Sequence, residues 1–131
     1  MSYTLVFKKG GIEILSLGVG HPMAVAFLDK PYGEFQAMPR TAFANARHTL
    51  TLQDESLADD YETAEKILAH TTKEDILWDS VIRMRNIKTE RKAIADAKVM
   101  VDMLEMIWEE GEYVDSESKV VKNIGLEWGV V

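Results

Sequence analysis

Apolar residues recur in this chain with two different periods, and the change from one to the other near Asp54 limits the folds open to it. Residues 3–9 and 12–17 are β-prone and roughly alternating, as half-buried strands are. After the change, Leu57, Tyr61, Ala64 and Leu68 recur at helical spacing, and Ile76, Ile87, Ile94, Ala97, Val101, Leu104 and Trp108 fall within one helical arc. Strands followed by helices describe an α+β fold rather than an alternating α/β one. The expectation is one domain, 1–131, with an N-terminal antiparallel sheet (a hairpin plus short strands) over 1–53. A helical half containing a long helix follows over 54–111, and a returning strand or tail over 112–131.

Local signals refine this outline. Gly10-Gly11 supplies the positive φ of a two-residue hairpin turn. Gly18, Gly20 and Pro22 break the chain before 23–28, a short apolar run that reads as a third strand, and 34–38 reads as a fourth. Residues 41–47 suit a helical turn, whereas 48–53 alternate as a half-buried strand does. Ser56 is placed to cap a first helix, with Asp59 and Asp60 in its first turn. Thr72 and Asp75 have the spacing of a capping box for a second helix, which Gly111 would stop. An unbroken helix over 73–110 is long for so small a domain, so the reading expects an interruption near Asn86 or packing against a second copy. Residues 119–122 and 125–131 read as strands returning to the N-terminal sheet.

A chain of 131 residues with 47% hydrophobic and 28% charged content has the composition of an ordinary globular domain. The absence of cysteine excludes disulfides, thiolate metal sites and a cysteine nucleophile, and suits a reducing compartment, so the cytoplasm is the default expectation. Neither a basic leader nor an apolar run of about 18 residues is present, which points away from export and membrane insertion. A net charge of −7 opposes general nucleic-acid binding.

Motifs for chemistry are sparse. His21, His48 and His70 are far apart and never form a helical i, i+4 pair of the zinc-enzyme kind. Gly18-Val19-Gly20 lacks the third glycine and the following helix of a dinucleotide fingerprint and reads as a turn. No serine sits in a glycine-flanked elbow. Met84, Met100, Met103 and Met106 gather in the long helix, where methionine serves either as core filling or as an adaptable binding surface.

Two carboxylate pairs, Glu62-x-x-Glu65 and Asp102-x-x-Glu105, could together hold a hard divalent cation from adjacent helices. This arrangement resembles the all-α nucleotide pyrophosphohydrolases of the MazG type, whose first motif has two glutamates at that spacing and whose second is Glu-x-x-Asp. The resemblance covers only the helical half, and the second motif stands here with its acids reversed. It implies Mg²⁺ as cofactor and a nucleotide as substrate; without it no cofactor is expected.

Charge is strongly segregated along the helical half. Five of the 15 basic residues, Arg83, Arg85, Lys88, Arg91 and Lys92, fall in ten consecutive positions. An acidic block, 54–62, precedes them, and Asp102, Glu105, Glu109, Glu110, Glu112, Asp115 and Glu117 follow. On a helix Arg85, Lys88 and Lys92 share one ridge, while Arg83, Asn86 and Glu90 land inside the apolar arc. Such residues mark a helix break, a structural contact such as Arg83 to Glu90, or an anion pocket in which arginine forks hold a phosphorylated ligand. Arg40 and Arg47 could contribute to that pocket, with Phe43 or Tyr32 as a stacking face. The favoured function is a non-enzymatic binding protein of inhibitor or sequestration type. It would be homo-oligomeric through the long helix and would capture a phosphorylated small ligand or a protein partner. The alternatives are the Mg²⁺-dependent hydrolase and a structural or assembly subunit.

Overall fold

The computed structural model describes residues 4–18, 20–27, 35–110, 112–114, 120–123 and 125–131, with the backbone alone at 112–114 and 120–123. Its fold is α+β: a four-stranded antiparallel sheet and a long antiparallel helical hairpin.

Strands β1 (Thr4–Lys9) and β2 (Ile12–Gly18) form the expected hairpin, with Gly10 and Gly11 at φ of 60° and 80°. A β-carbon is disfavoured at those angles, and glycine has none. The next segment corrects the sequence reading. Pro22–Ala26 is a short helix, α1, not a strand. Proline at its start sets φ for a helix, and His21 Nδ1 accepts the Met23 N–H at 3.1 Å, so this histidine is a cap. Of the fourth strand, among the described residues 35–38, Gln36–Ala37 forms, as β3, ahead of Pro39, and residue 34 lies outside the described residues.

Helix α2 runs unbroken over Thr41–His70. The helical part therefore starts 13 residues before Asp54, and the strand expected at 48–53 is absent. Leu50 and Leu52 would share a face in a strand, but Leu50 is fully buried and Leu52 is 52% exposed. The spacing that governs is Phe43, Leu50, Leu57 and Ala64, one every seventh residue, which overrides a brief two-residue alternation. Thr49 and Thr63 fit inside the helix by donating their hydroxyls to the carbonyls of Asn45 and Asp59, four residues back. Ser56 accordingly lies in mid-helix and caps nothing.

After the three residues 71–73, α3 spans Glu74–Glu110 without an interruption at Asn86. Among the described residues no Thr72 to Asp75 capping bond forms; Thr71 Oγ accepts the Lys73 N–H instead. Ser80, Ile87, Ile94 and Val101, again seven apart, are buried together with Ala97 and Leu104. Two heptad stripes on helices joined by a short turn meet as an antiparallel pair. The stripe expected to bind a second copy is thus covered within the chain itself. Trp108, partly buried, donates its indole N–H to the Met38 carbonyl at 2.7 Å and meets Phe43 edge to face.

Among the described residues, backbone strands β4 (Glu112–Val114) and β5 (Val120–Asn123) pair with each other, so 120–122 does not join the N-terminal sheet, and residue 119 of the expected strand lies outside the described residues. Strand β6 (Leu126–Val130) does return, lying between β1 and β3. Leu5 and Phe7 of β1 and Leu126 and Trp128 of β6 face the helices, where Phe27 bridges Phe7 and Trp128 through edge-to-face contacts at 5.6 and 5.2 Å. The main core lies between the sheet, α1 and the sheet-proximal turns of the hairpin; the hairpin tip extends beyond it. Among the described residues no helix is long and apolar enough to cross a membrane.

Candidate functional site

The segregated charges meet across the helical hairpin in a ladder of four rungs. Arg83 lies 3.9 Å from Asp60 near the tip. Arg91 grips Asp54 with two nitrogens, at 2.9 and 3.3 Å. Arg47 bonds both Asp102, at 2.9 Å, and Glu105, at 2.6 Å. Arg40 reaches Glu109 at 3.6 Å and lies over the Trp108 ring. The basic half of α3 therefore faces the acidic half of α2, and the acidic half of α3 faces the arginines at the start of α2. A slip of one heptad in one direction would bring Arg91 level with Arg47, like against like. Exposed pairs contribute only about 0 to 1 kcal/mol each, so the ladder selects register more than it stabilises.

Electrostatics agree with this geometry. The hydrogen-bonded Arg91 guanidinium holds the Asp54 carboxyl below its ordinary range, with Lys98 adding to the effect, and Arg91 is itself held above its own. Hydrogen bonds to Asp102 and then Glu105 push Arg47 up.

Four of the six residues expected to bind an anion, Arg40, Arg47, Arg83 and Arg91, thus have carboxylate partners inside the chain. They are strung along the hairpin rather than gathered into a pocket. Phe43 is fully buried in the core and presents no stacking face, and Tyr32 lies outside the described residues. Arg83, Asn86 and Glu90 do come together, in a cleft of about 360 Å³ that also takes in Asp60 and Asp79. Three carboxylates around one guanidinium repel a phosphate. A second cavity, about 580 Å³ between α1 and both long helices, has Glu90 as its one charged lining residue among those described.

The carboxylate pairs are likewise kept apart. Asp102 and Glu105 bind Arg47, whereas Glu62 pairs with Lys66 at 3.3 Å. Glu62 stands 15 residues beyond Arg47 on one continuous helix, about 22 Å along its axis. Among the described residues no three histidines or carboxylates are grouped to hold a metal ion. His48 is exposed on α2 rather than at a strand edge, and His70 is exposed in that helix's last turn.

What remains unaccounted for is the outer side of α3. Arg85, Lys88 and Lys92 share a ridge there, as the helical spacing predicts, and none has an ion-pair partner among the described residues; Lys88 Nζ lies 5.6 Å from the Tyr61 ring. On the same side Trp78 is 61% exposed, Val81 42%, Val99 58%, Met103 58% and Met106 60%. Of the four methionines of this helix, Met84 and Met100 are partly buried while Met103 and Met106 face out. The basic part of the ridge is legible in the sequence, and so are Met103 and Met106 as one of two alternatives for the methionines, whereas Trp78, Val81 and Val99 are not singled out there. The signal was there, in large apolar residues three and four apart lying outside the arc of Ile87 and Ile94. Comparison with protein-family models, with curated proteins and with solved structures found no match.

Proposed function

We propose that this is a non-enzymatic binding protein that works through protein contacts along the outer face of α3. One observation carries the reading: a helix whose Ile87, Ile94, Val101 and Leu104 are buried on one side keeps Trp78, Val81, Val99, Met103 and Met106 exposed on the other, around a basic centre. Apolar residues recurring at three- and four-residue steps are the anchors by which a helix is taken into a protein interface. The intramolecular ladder argues against a phosphorylated small ligand as the main target, because carboxylates engage the forks of Arg47 and Arg91. Separation of the carboxylate pairs argues against the Mg²⁺-dependent hydrolase. The reading covers an inhibitor or sequestering protein and an assembly subunit alike, since both act through such a face, and the cysteine-free chain suits the cytoplasm.

The test is site-specific photo-crosslinking in cells, with a photoreactive residue in place of Met103 and, as control, in place of Glu62. Crosslinks to protein are expected from position 103 and not from 62. An uncrosslinked position 103, or Mg²⁺-dependent nucleotide turnover that disappears in Glu62→Gln, would overturn the reading.

A further inference from the structure

The outer ridge of α3 has a symmetry of its own, centred on Lys92. Four residues to either side stand Lys88 and Asp96, and seven to either side Arg85 and Val99. Eleven residues out are Val81 and Met103, and fourteen out are Trp78 and Met106. All lie on the exposed side of the helix. Resting on the reading of this face as a docking surface, we propose that its occupant is a second copy of this chain, whose α3 runs antiparallel about a two-fold axis beside Lys92.

The two-fold decides what meets what. Trp78 would lie on the partner's Met106 and Val81 on the partner's Met103, so both apolar ends are covered twice in one closed dimer. The aliphatic stem of Arg85 would cover the partner's Val99 while its charged head stays in water. Lys88 would face the partner's Asp96, one turn from where Lys92 also arrives, so each aspartate is flanked by two lysines. Among the described residues Asp96 has no ion pair within its own chain. Lys92 would meet the partner's Lys92 in either orientation, but parallel pairing in register would also stack Arg85 on the partner's Arg85, Lys88 on the partner's Lys88 and Asp96 on the partner's Asp96. Charge complementarity therefore selects the antiparallel arrangement, and two stripes on opposite sides of α3 would make the dimer a four-helix layer.

Sedimentation equilibrium with charge reversal tests the pairing, on exposed residues whose exchange leaves the core intact. Wild type should sediment as a dimer. Lys88→Glu and Asp96→Lys should each weaken association by about tenfold, since two pairs turn repulsive, and the double exchange should restore it. Because the chain has no cysteine, orientation can be read by oxidation. Lys92→Cys should crosslink to itself and Val99→Cys should not, whereas Val99→Cys mixed with Arg85→Cys should. A monomeric mass at about 100 µM, single reversals without effect, or Val99→Cys joining itself as readily as Lys92→Cys would each overturn the proposal. If the chain is monomeric while position 103 crosslinks to a different protein, self-pairing falls and the docking face stands. If it is monomeric and position 103 crosslinks to nothing, both fall.

Discussion

Asp54 and Arg91 illustrate how a single residue's role depends on what lies across from it. In sequence, Arg91 belongs to a basic cluster that invites a phosphate; in the fold its fork is closed on Asp54. Asp54 titrates below its ordinary value in the folded chain, so near and below pH 4 the unfolded chain binds more protons than the folded one. The pair's contribution is therefore fully present above about pH 4 and is lost as pH falls through the lowered folded value. Asp54→Asn is expected to lower the melting temperature at pH 7 and to make progressively less difference as the pH is taken below about 4. Thermal melts of both proteins across that range check this; an equal deficit at every pH would mean that charge is not what the pair contributes.

Within α2 the informative comparison is between two leucines two positions apart. Leu50 sits fully buried among the residues shared by sheet and helices, and Leu52 is mostly in solvent. Leu50→Ala should cost about 2 to 5 kcal/mol, the usual range for a cavity in a packed core. Leu52→Ala should stay within about 0.5 kcal/mol, as exposed substitutions do. Chemical denaturation of the two variants measures both. A strand at 48–53 would make the two losses comparable, so the ratio tests the helix as well as the packing. Continuity of α2 agrees with the same stripe, because an unbroken helix keeps Phe43, Leu50, Leu57 and Ala64, seven apart, on the side that faces α3.

For the whole molecule, stability should be graded along the hairpin. Near the sheet, Phe43, Leu50, Val101 and Leu104 join the main core, and Trp108 is hydrogen-bonded to Met38. Towards the tip the buried contacts shrink to Ala64 and Ser80, and Arg83 holds Asp60 at 3.9 Å. Local opening costs least where little apolar surface is buried. Amide hydrogen exchange is therefore expected to be slowest around 94–104 and several orders of magnitude faster around 76–84. Uniform protection along α3 would contradict the gradient.

Elements governed by local chemistry were legible in the sequence. Glycine at both turn positions dictated the first hairpin, and the long helical repeat dictated α3, its arc matching the buried Ile87, Ile94, Ala97, Val101 and Leu104. Pro22 marks a helix start, but a short apolar run has no period of its own and reads as a strand, and the cap at His21 is not legible because histidine is not among the residues favoured there. The tertiary structure decided everything that depends on a partner distant in sequence. It carried α2 through a segment with strand-like alternation, because burial of Phe43 and Leu50 against α3 outweighs local propensity. It also sorted the basic block, closing Arg83 and Arg91 onto α2 while leaving Arg85, Lys88 and Lys92 outside. Charge order along the chain contains the ladder's register only once the helices are known to be antiparallel and to start at Thr41 and Glu74. Before that, five cations in ten positions read as well for a ligand as for a neighbouring helix, since a carboxylate 37 residues away satisfies an arginine as completely as a phosphate does.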